Sequence, residues 1–594
     1  MNMATDQRDD PIISNTSRSV PWIGIIVSVI ILLGFLARFY KQEGGFVTAR
    51  GAYDIAQIAR NIARGDGFTT HFIRPFNVPF TSMDKGKIIE LNNAPLYPYI
   101  AAAMIKFRGA ADQPVTQTSM LFLVTAIAST FLLGAILFDW RAGLLAAAIA
   151  GISAPVLNIG ASGEPWALAT ALFTLLLCGI GLYHKSAERG RAISKLGYPI
   201  ICGILLGLLY WTHCVFIFLM PAIAVYFAIT ARSRRVRPSP LLRAIIFIAV
   251  FSIVIAPLMY RNYSLTGSPV MGIGAWDLMA HSDAYPGDTL YRSTDSESHE
   301  QARIYLFPIE HFWAFARKLA QGINSIVSEY ALMLGIAVLP FGLVSVFYRF
   351  KSAPANAVRG VTYALAPAAI VAFALFSTGT EAILILAPVT AVYASAYFIT
   401  LLRAKKLYPA YSNALIAGLI LVTAGPVLPT IIWRPDSPEH SDAATIDTIF
   451  GKAGTSGAKG LIYTDAPWAA AWRTECVAVW LPRTDDDVDV LTADGLPMNL
   501  VVLTPESSNY SSDEAWYMLH RVSLWREYIQ DRKAGMSKIL EAAGVSKNRT
   551  EQADKALARL RRNYAISRSI EGMSTQRTDP LAPDDVQILT FGKR

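Results

Sequence analysis

The sequence predicts an all-α polytopic membrane protein of about eleven transmembrane helices in residues 1–433. A soluble α/β extracytoplasmic domain follows in residues 434–594. Three observations predict this fold class. The 594-residue chain is 53% hydrophobic and only 16% charged, with a mean hydropathy of +0.37, which is too apolar for a soluble protein of this size. Its apolar residues form separate runs with basic residues between them, and the long runs stop after residue 433.

The first apolar run, residues 21–39, follows a polar start and has no small-residue cleavage site after it. We therefore expect an uncleaved first span rather than a signal peptide. The eleven runs are residues 21–39, 116–138, 142–159, 166–183, 197–211, 215–229, 241–260, 326–347, 361–376, 382–402 and 414–433. Several are shorter than the ~20 residues that cross a bilayer without tilt, so residues 197–229 can also be counted as one span.

The charges of the loops predict the orientation. Lys and Arg concentrate in alternate loops, and such loops are typical of the cytoplasmic side. This alternation requires about eleven spans. The N-terminus is then cytoplasmic, while loops 40–115 and 261–325 and the tail 434–594 are extracytoplasmic. The net charge of +9 reflects this distribution, so we expect a multi-pass protein of the plasma or inner membrane, with the bilayer and not nucleic acid as its partner.

The first extracytoplasmic loop contains the most informative stretch. Residues 53–64 predict an amphipathic helix with Tyr53, Asp54 and Gln57 on its polar side and isoleucines on the other. Such a helix can lie in a membrane interface with a carboxylate on its polar face. The alternative is a surface helix that only packs against the following loop.

Three extracytoplasmic carboxylates are candidate functional groups, because ionisable residues near a membrane core usually have a function. Asp54 is the first. Glu164 lies at the tip of a short turn before Pro165, and its alternative role is to stabilise the helix dipole. Glu90 lies just before the segment LNNAPLYP, and its alternative is a solvated loop carboxylate.

Basic candidates lie on the same side, and guanidinium groups suit a phosphate because they bind it through paired hydrogen bonds. These candidates are Arg74, Arg261, Arg292, Arg303, Arg317 and Lys318. Arg261 directly follows a predicted span, so it can instead be an interfacial anchor. The histidines and the four cysteines show no metal-ligand spacing, and a divalent metal ion is possible but not indicated. No nucleotide-binding signature occurs, so a transferase on this side of the membrane would need a lipid-linked donor.

The tail predicts short strands at 461–482 and 499–507, with helices at 513–528 and 546–564. The acidic run Asp485–Asp487 is expected to be a solvated turn rather than a cation site.

Four segments together resemble the multi-spanning glycosyltransferases of the GT-C fold, in particular the bacterial relatives of the lipid A aminoarabinose transferase and of protein O-mannosyltransferases. They are Asp54 with ARNIARGDGF after it, NAPLYP, the Glu164–Pro165 turn, and PLMYRNYSLTGSP around Arg261. The resemblance covers about residues 35–402. Where many members carry a basic or aromatic pair before a proline, this chain has Glu381 and Ala382 before Pro388.

The resemblance implies an inverting glycosyltransferase, hexosyl- or pentosyl-, that uses a polyprenyl-phosphate sugar donor and an envelope acceptor. Asp54 matches the catalytic carboxylate and Glu164 a second acidic position, while the departure at Glu381 leaves Arg74 and Arg261 as the expected phosphate ligands. Glu90, Tyr53, Asn93 and Tyr97 are expected to contact substrate, and Arg60, Asn61 and Arg64 to be scaffold. The alternatives are a transporter or flippase of lipid-linked or polar substrates, and a non-catalytic assembly partner.

Overall fold

The computed structural model describes residues 22–81, 88–188, 194–229, 239–295, 299–376, 381–405, 408–433, 450, 460–474, 476–504, 510, 514, 516, 564–569 and 587–593. The two helices predicted in the tail at 513–528 and 546–564 lie almost entirely outside these residues.

The described residues of the first half of the chain form ten α-helices. They are α1 (Trp22–Glu43), α2 (Arg50–Arg64), α3 (Leu96–Arg108), α4 (Asp112–Leu137), α5 (Trp140–Ile152), α6 (Ala154–Ala161), α7 (Trp166–Glu188), α8 (Ser194–Thr212), α9 (Met220–Ile229) and α10 (Pro240–Thr266). Pro155, near the start of α6, cannot donate a backbone hydrogen bond, and α5 and α6 meet there at a bend of 66°.

The second half continues with α11 (Gln301–Glu310), α12 (Phe312–Met333), α13 (Leu339–Phe347), α14 (Ala353–Phe376), α15 (Ala387–Ala404), α16 (Pro409–Ala424) and α17 (Leu428–Trp433). The run at 326–347, predicted as one span, is divided between α12 and α13. Gly335 lies between them with φ +79°, a conformation that favours glycine, and Pro340 begins the next helix.

Within the described residues, six helices are long and apolar enough to cross a membrane, and the bent pair α5–α6 makes up to seven. Three shorter apolar helices accompany them: Leu196–Thr212, Cys214–Ile229 and Pro409–Ala424. The protein is therefore a multi-pass membrane protein. Helices α4 and α5 cross so closely that a Cβ on Gly134 would lie 2.4 Å from the Cα of Gly143, so the crossing requires a residue without a side chain.

The described part of the tail contains strands and helices in alternation. They are β4 (Leu461–Thr464), α18 (Pro467–Arg473), β5 (Val477–Trp480), α19 (Asp485–Ala493), β6 (Leu500–Leu503), β7 (Tyr564–Ser569) and β8 (Gln587–Lys593). Strands β4, β5 and β6 pair in parallel, and β8 pairs antiparallel with β6 and β7. The acidic residues 485–487, expected to form a solvated turn, begin α19, which has a capping box from Thr484.

The loop between α1 and α3 supplies one edge strand to this sheet. It contains β1 (Thr69–Thr70), β2 (Phe72–Ile73) and β3 (Ile88–Ile89). β2 pairs in parallel with β5, with Phe72 opposite Ala478, so the six strands run in the order β2-β5-β4-β6-β8-β7. The boundary predicted at residue 433 thus separates two parts of the chain that share a sheet.

Candidate active site

Helix α2 carries the candidate site and is buried on all sides. Ala49 precedes it in an extended conformation, and Gly65 ends it with φ +91°. Every residue from Ala52 to Asn61 is buried, including the polar ones. The helix is amphipathic as predicted, but its polar face does not lie in a free interface. It is covered by the rest of the loop and by the tail, which is closer to the alternative interpretation of a packing helix.

Asp54 lies at the centre of a group of hydrogen-bond donors. Its Oδ2 atom accepts from Nη2 of Arg74 at 2.7 Å and from Nδ2 of Asn93 at 2.8 Å. Its Oδ1 atom accepts from Nε2 of Gln57 at 3.0 Å. The side chain is only 4% exposed. These three donors fix the carboxylate in one orientation, and most of its remaining acceptor capacity lies on Oδ1.

Glu90 is a second buried carboxylate beside Asp54, and not the solvated loop residue of the alternative interpretation. Its Oε1 atom accepts from the backbone N–H groups of Asn92 and Asn93 at 2.7 and 2.8 Å. Nδ2 of Asn93 also lies 3.2 Å from the same oxygen, so this amide bridges Glu90 and Asp54. Oε2 has no hydrogen-bond partner within the described residues. Burial, and then the charge of Asp54, raise the pKa of Glu90 above its ordinary value.

Arg74 joins the two carboxylates electrostatically. Its guanidinium carbon lies 4.0 Å from the centre of the Phe72 ring. Burial by itself would lower the pKa of Arg74, but the charges of Asp54 and Glu90 outweigh it and raise this pKa. Its Nη1 atom is buried and makes no hydrogen bond within the described part of the chain, so one face of the guanidinium has donors to offer.

Arg261 reaches the same place from the end of α10. Its Nη2 atom donates to the backbone carbonyl of Glu90, and its guanidinium lies 5.0 Å from the centre of the Phe68 ring. The half-buried side chain therefore packs on the loop that carries the two carboxylates. This position distinguishes it from the purely interfacial anchor that the sequence left open.

Glu164 lies against the start of α2. A Cβ on Gly51 would be 2.6 Å from its Oε1 atom, so the carboxylate is next to the helix one turn before Asp54. The backbone carbonyl of Glu164 accepts from Ser119 at 3.3 Å. Tyr97 is fully buried nearby, and its hydroxyl donates to the carbonyl of Val115 at 3.4 Å.

Tyr53 faces the tail, because the guanidinium of Arg473 lies 5.3 Å from the centre of its ring. Arg473 also donates twice to Asp112, with Nη1 to Oδ1 at 2.9 Å and Nη2 to Oδ2 at 2.7 Å. Nε1 of Trp472 donates to the same carboxylate at 2.7 Å. Asp112 and Arg473 were not among the predicted site residues. The run WRTEC in the tail carries no signal that its arginine pairs with a residue 361 positions earlier.

Arg60, predicted as scaffold, holds the end of α18. It donates to the carbonyls of Ala471 and Trp472 at 2.7 and 2.8 Å. These carbonyls belong to the last turn of α18, where a helix lacks internal donors and a cation is favourable. Tail and site helix are thus connected by charge-assisted hydrogen bonds.

The sequence did not decide whether the protein binds a metal ion. The described residues contain no group of three or more His, Cys, Asp or Glu side chains arranged to hold a metal ion. Asp54 and Glu90 would supply two carboxylates, but Asp54 Oδ2 already accepts from a guanidinium and an amide. An oxygen that already accepts from two hydrogen-bond donors is a poor ligand for a divalent cation. Such a cation also needs more oxygen ligands than Asp54 and Glu90 provide.

Solved structures share this architecture. The oligosaccharyltransferase of Archaeoglobus fulgidus, crystallised with zinc and sulfate, superposes with a TM-score of 0.53 at 13% identity over 82% of this chain and 69% of that one. ArnT of Cupriavidus metallidurans, bound to undecaprenyl phosphate, superposes with a TM-score of 0.51 at 11% identity. The match covers 82% of this chain and 94% of that one. The chain therefore has the fold of the GT-C membrane glycosyltransferases, and the predicted all-α, GT-C-like membrane fold is confirmed. The α/β character predicted for the tail stays a prediction.

Within this fold, residues 92–256 match the family described as dolichyl-phosphate-mannose-protein mannosyltransferase. The matched segment begins at the asparagines beside Asp54 and ends within α10. No curated protein sequence matches the chain.

Proposed function

We propose that this protein is an inverting glycosyltransferase, with Asp54 as the general base. It moves a sugar from a polyprenyl-phosphate-linked donor to an extracytoplasmic acceptor, which is a lipid, a polysaccharide or a protein. The observation that carries the proposal is a buried carboxylate, held by three donors, in the loop after the first span of a GT-C fold. A similar structure was solved with undecaprenyl phosphate, which supports a lipid-linked donor.

The proposed reaction is a single displacement at the anomeric carbon. The acceptor hydroxyl or amine attacks that carbon as its proton passes to Oδ1 of Asp54. The bond between the anomeric carbon and the phosphate oxygen breaks, and polyprenyl phosphate leaves with the electron pair. Attack from the side opposite the phosphate inverts the anomeric centre. A phosphate leaves without protonation, so one carboxylate base is sufficient.

The departing phosphate gains negative charge, and cations fixed nearby stabilise the transition state. Nη1 of Arg74 makes no hydrogen bond to the described residues, and Arg261 reaches the same loop from α10. We therefore assign donor phosphate binding to both. The pairing of Arg74 with Asp54 also fixes the base relative to the phosphate.

The remaining candidates are assigned smaller roles. Asn93 positions Asp54 and Glu90 through its side-chain amide. Oε2 of Glu90, which accepts no hydrogen bond from the described residues, is assigned to a substrate hydroxyl. Glu164 and Tyr97 support the start of α2, and Tyr53 supports it from the side of the tail. No step of the proposed reaction uses a metal ion.

The test compares purified wild-type and Asp54→Asn protein in nanodiscs. Radiolabelled polyprenyl-phosphate hexoses and pentoses serve as donors, and envelope extract from cells lacking the gene serves as acceptor. General-base catalysis contributes roughly 10²–10⁴-fold, so we expect the variant to lose at least ~100-fold in transfer rate. Asp66→Asn, which removes a carboxylate just beyond α2, is the matched control. Near-normal transfer by a folded Asp54→Asn protein would refute the assignment.

A further inference from the structure

A small cavity lies close to the site, between the loop after α10 and the helices α12 and α14. Its volume is about 260 Å³. Polar side chains from two elements line it: Asp277, His281, Lys318, Gln321 and Ser325. Ligand pockets for drug-sized molecules hold roughly 300–1,000 Å³, so this cavity suits a smaller group.

The cavity is lined by hydrogen-bonding groups with capacity to spare. Oδ1 of Asp277 accepts from the hydroxyl of Tyr291, while Oδ2 accepts no hydrogen bond within the described residues. Nζ of Lys318 donates to the carbonyls of Asp277 and Ala280, which leaves one of its three donors. Nε2 of His281 is buried without a hydrogen bond in the described part of the chain, 3.7 Å from Asp288.

Two further features mark the cavity as built for a ligand. His281 has φ +56°, a conformation unusual for a residue with a side chain, and such strain concentrates at binding sites. Lys318 is only 8% exposed although it is charged. Burial lowers the pKa of Lys318 to about 8, and the charge of Asp277 opposes this shift.

The cavity is connected to the catalytic loop by a short series of contacts. Phe76, two residues after Arg74, donates its backbone N–H to the carbonyl of Tyr291 at 3.2 Å. Its ring packs edge-on against Tyr291 and Trp276, the residue before Asp277. Arg74 is also close enough to lower the pKa of Asp277 electrostatically, although burial raises that pKa overall.

The charges in the cavity favour one ligand chemistry. One carboxylate faces one ammonium, so the fixed charges balance. An acidic ligand would face Asp277, and a cationic ligand would face Lys318. An uncharged group rich in hydroxyls satisfies both, because each hydroxyl donates to a carboxylate and accepts from an ammonium, amide or hydroxyl.

We propose that this cavity binds the transferred sugar as a neutral monosaccharide ring, with Asp277 and Lys318 as its main hydroxyl ligands. This inference rests on the proposed glycosyltransferase function and names the substrate class that the same site selects. Gln321 and Ser325 contribute at the open side, where both side chains are exposed.

Saturation-transfer NMR on the full-length protein in nanodiscs tests it. The probes are methyl glycosides of glucose, mannose, galactose and arabinose, together with glucuronate and glucosamine. We expect at least one neutral glycoside to bind the wild type and to lose about tenfold or more in affinity in Asp277→Asn and Lys318→Met, equivalent to at least ~1.4 kcal/mol. Arg317→Met, an exposed neighbour on α12, is the matched control and should bind as the wild type does.

Gln321→Leu is the fallback variant if Asp277→Asn or Lys318→Met fails to fold, because the Gln321 side chain is exposed. We expect Gln321→Leu to weaken glycoside binding severalfold. The absence of neutral glycoside binding, stronger binding of glucuronate or glucosamine, or unchanged affinity in folded cavity variants would each overturn the inference. Asp54→Asn should bind glycosides normally. Sugar binding that depends on Asp277, in a protein whose transfer does not depend on Asp54, would keep this site and refute the catalytic assignment.

Discussion

Asp54 and Glu90 lie in the same buried cluster but differ in their hydrogen bonding. Three donors surround Asp54, whereas one oxygen of Glu90 has no partner within the described residues. The two carboxylates share the amide of Asn93 and the field of Arg74. Under the proposed function, these unequal surroundings suit Asp54 to act as the base and leave Oε2 of Glu90 available to a substrate hydroxyl.

Glu90→Gln should make the protein more stable relative to the wild type at neutral pH. Burial and the charge of Asp54 raise the pKa of Glu90 in the folded state above its ordinary value of 4.5. The contribution of Glu90 to the free energy of unfolding is therefore fully present at a pH below that ordinary value. This contribution is lost as the pH rises through the pKa of the folded state. Glutamine does not titrate, so the difference in Tm should grow from pH 4.5 to pH 7. A Tm difference independent of pH would contradict this.

At the scale of elements, α2 depends on the turn that carries Glu164. Gly51 allows the carboxylate to approach the helix start, and a methyl group there would displace the flexible end of Glu164 rather than the backbone. This contact is a feature of packing that neither the sequence around Gly51 nor that around Glu164 indicates.

Gly51→Ala should therefore reduce transfer about as much as Glu164→Gln, with only a small loss of Tm. The physical reason is that the new Cβ would lie 2.6 Å from Oε1 and push the carboxylate away. Gly45→Ala is the matched control, because nothing lies within 4 Å of its added Cβ. Transfer rates of the three variants measure the effect. Full activity in Gly51→Ala together with low activity in Glu164→Gln would show that the position of the carboxylate does not matter.

At the scale of the whole molecule, the tail is a structural part of the site. Strand β5 pairs with β2 one residue before Arg74, and Arg473 pairs with Asp112 at the start of α4. Arg292, in the loop between α10 and α11, donates to the carbonyl of Leu481 at 2.8 Å and pairs with Glu514. The membrane part, the loop that carries β2, the loop that carries Arg292 and the tail therefore stabilise one another.

Arg473→Met should destabilise the protein by roughly 3–5 kcal/mol, because it leaves Asp112 buried and without its guanidinium partner. Adding Asp112→Asn should recover much of this loss, since the uncompensated charge disappears. The double-mutant cycle is measured by thermal unfolding, with turnover as a second readout. Additive effects of the two substitutions would show that the pair contributes nothing of its own.

The sequence by itself determined the membrane class, most span positions, the amphipathic α2 and the candidates Asp54, Arg74, Glu90, Asn93 and Arg261, which the structure brings together. Periodicity and loop charge are local properties, so they can be read along the chain. The break between α12 and α13 was missed because apolarity continues across Gly335.

Only the tertiary structure decided that the polar face of α2 is buried and that the tail completes the sheet of the first loop. The tertiary structure also decided that one oxygen of Glu90 has no hydrogen-bond partner within the described residues. The position of Asp277 and Lys318 in the lining of one cavity was also visible only in the tertiary structure. These features arise from contacts between residues up to hundreds of positions apart, and their free energies depend on burial and on the charges nearby. No local pattern along the chain encodes them.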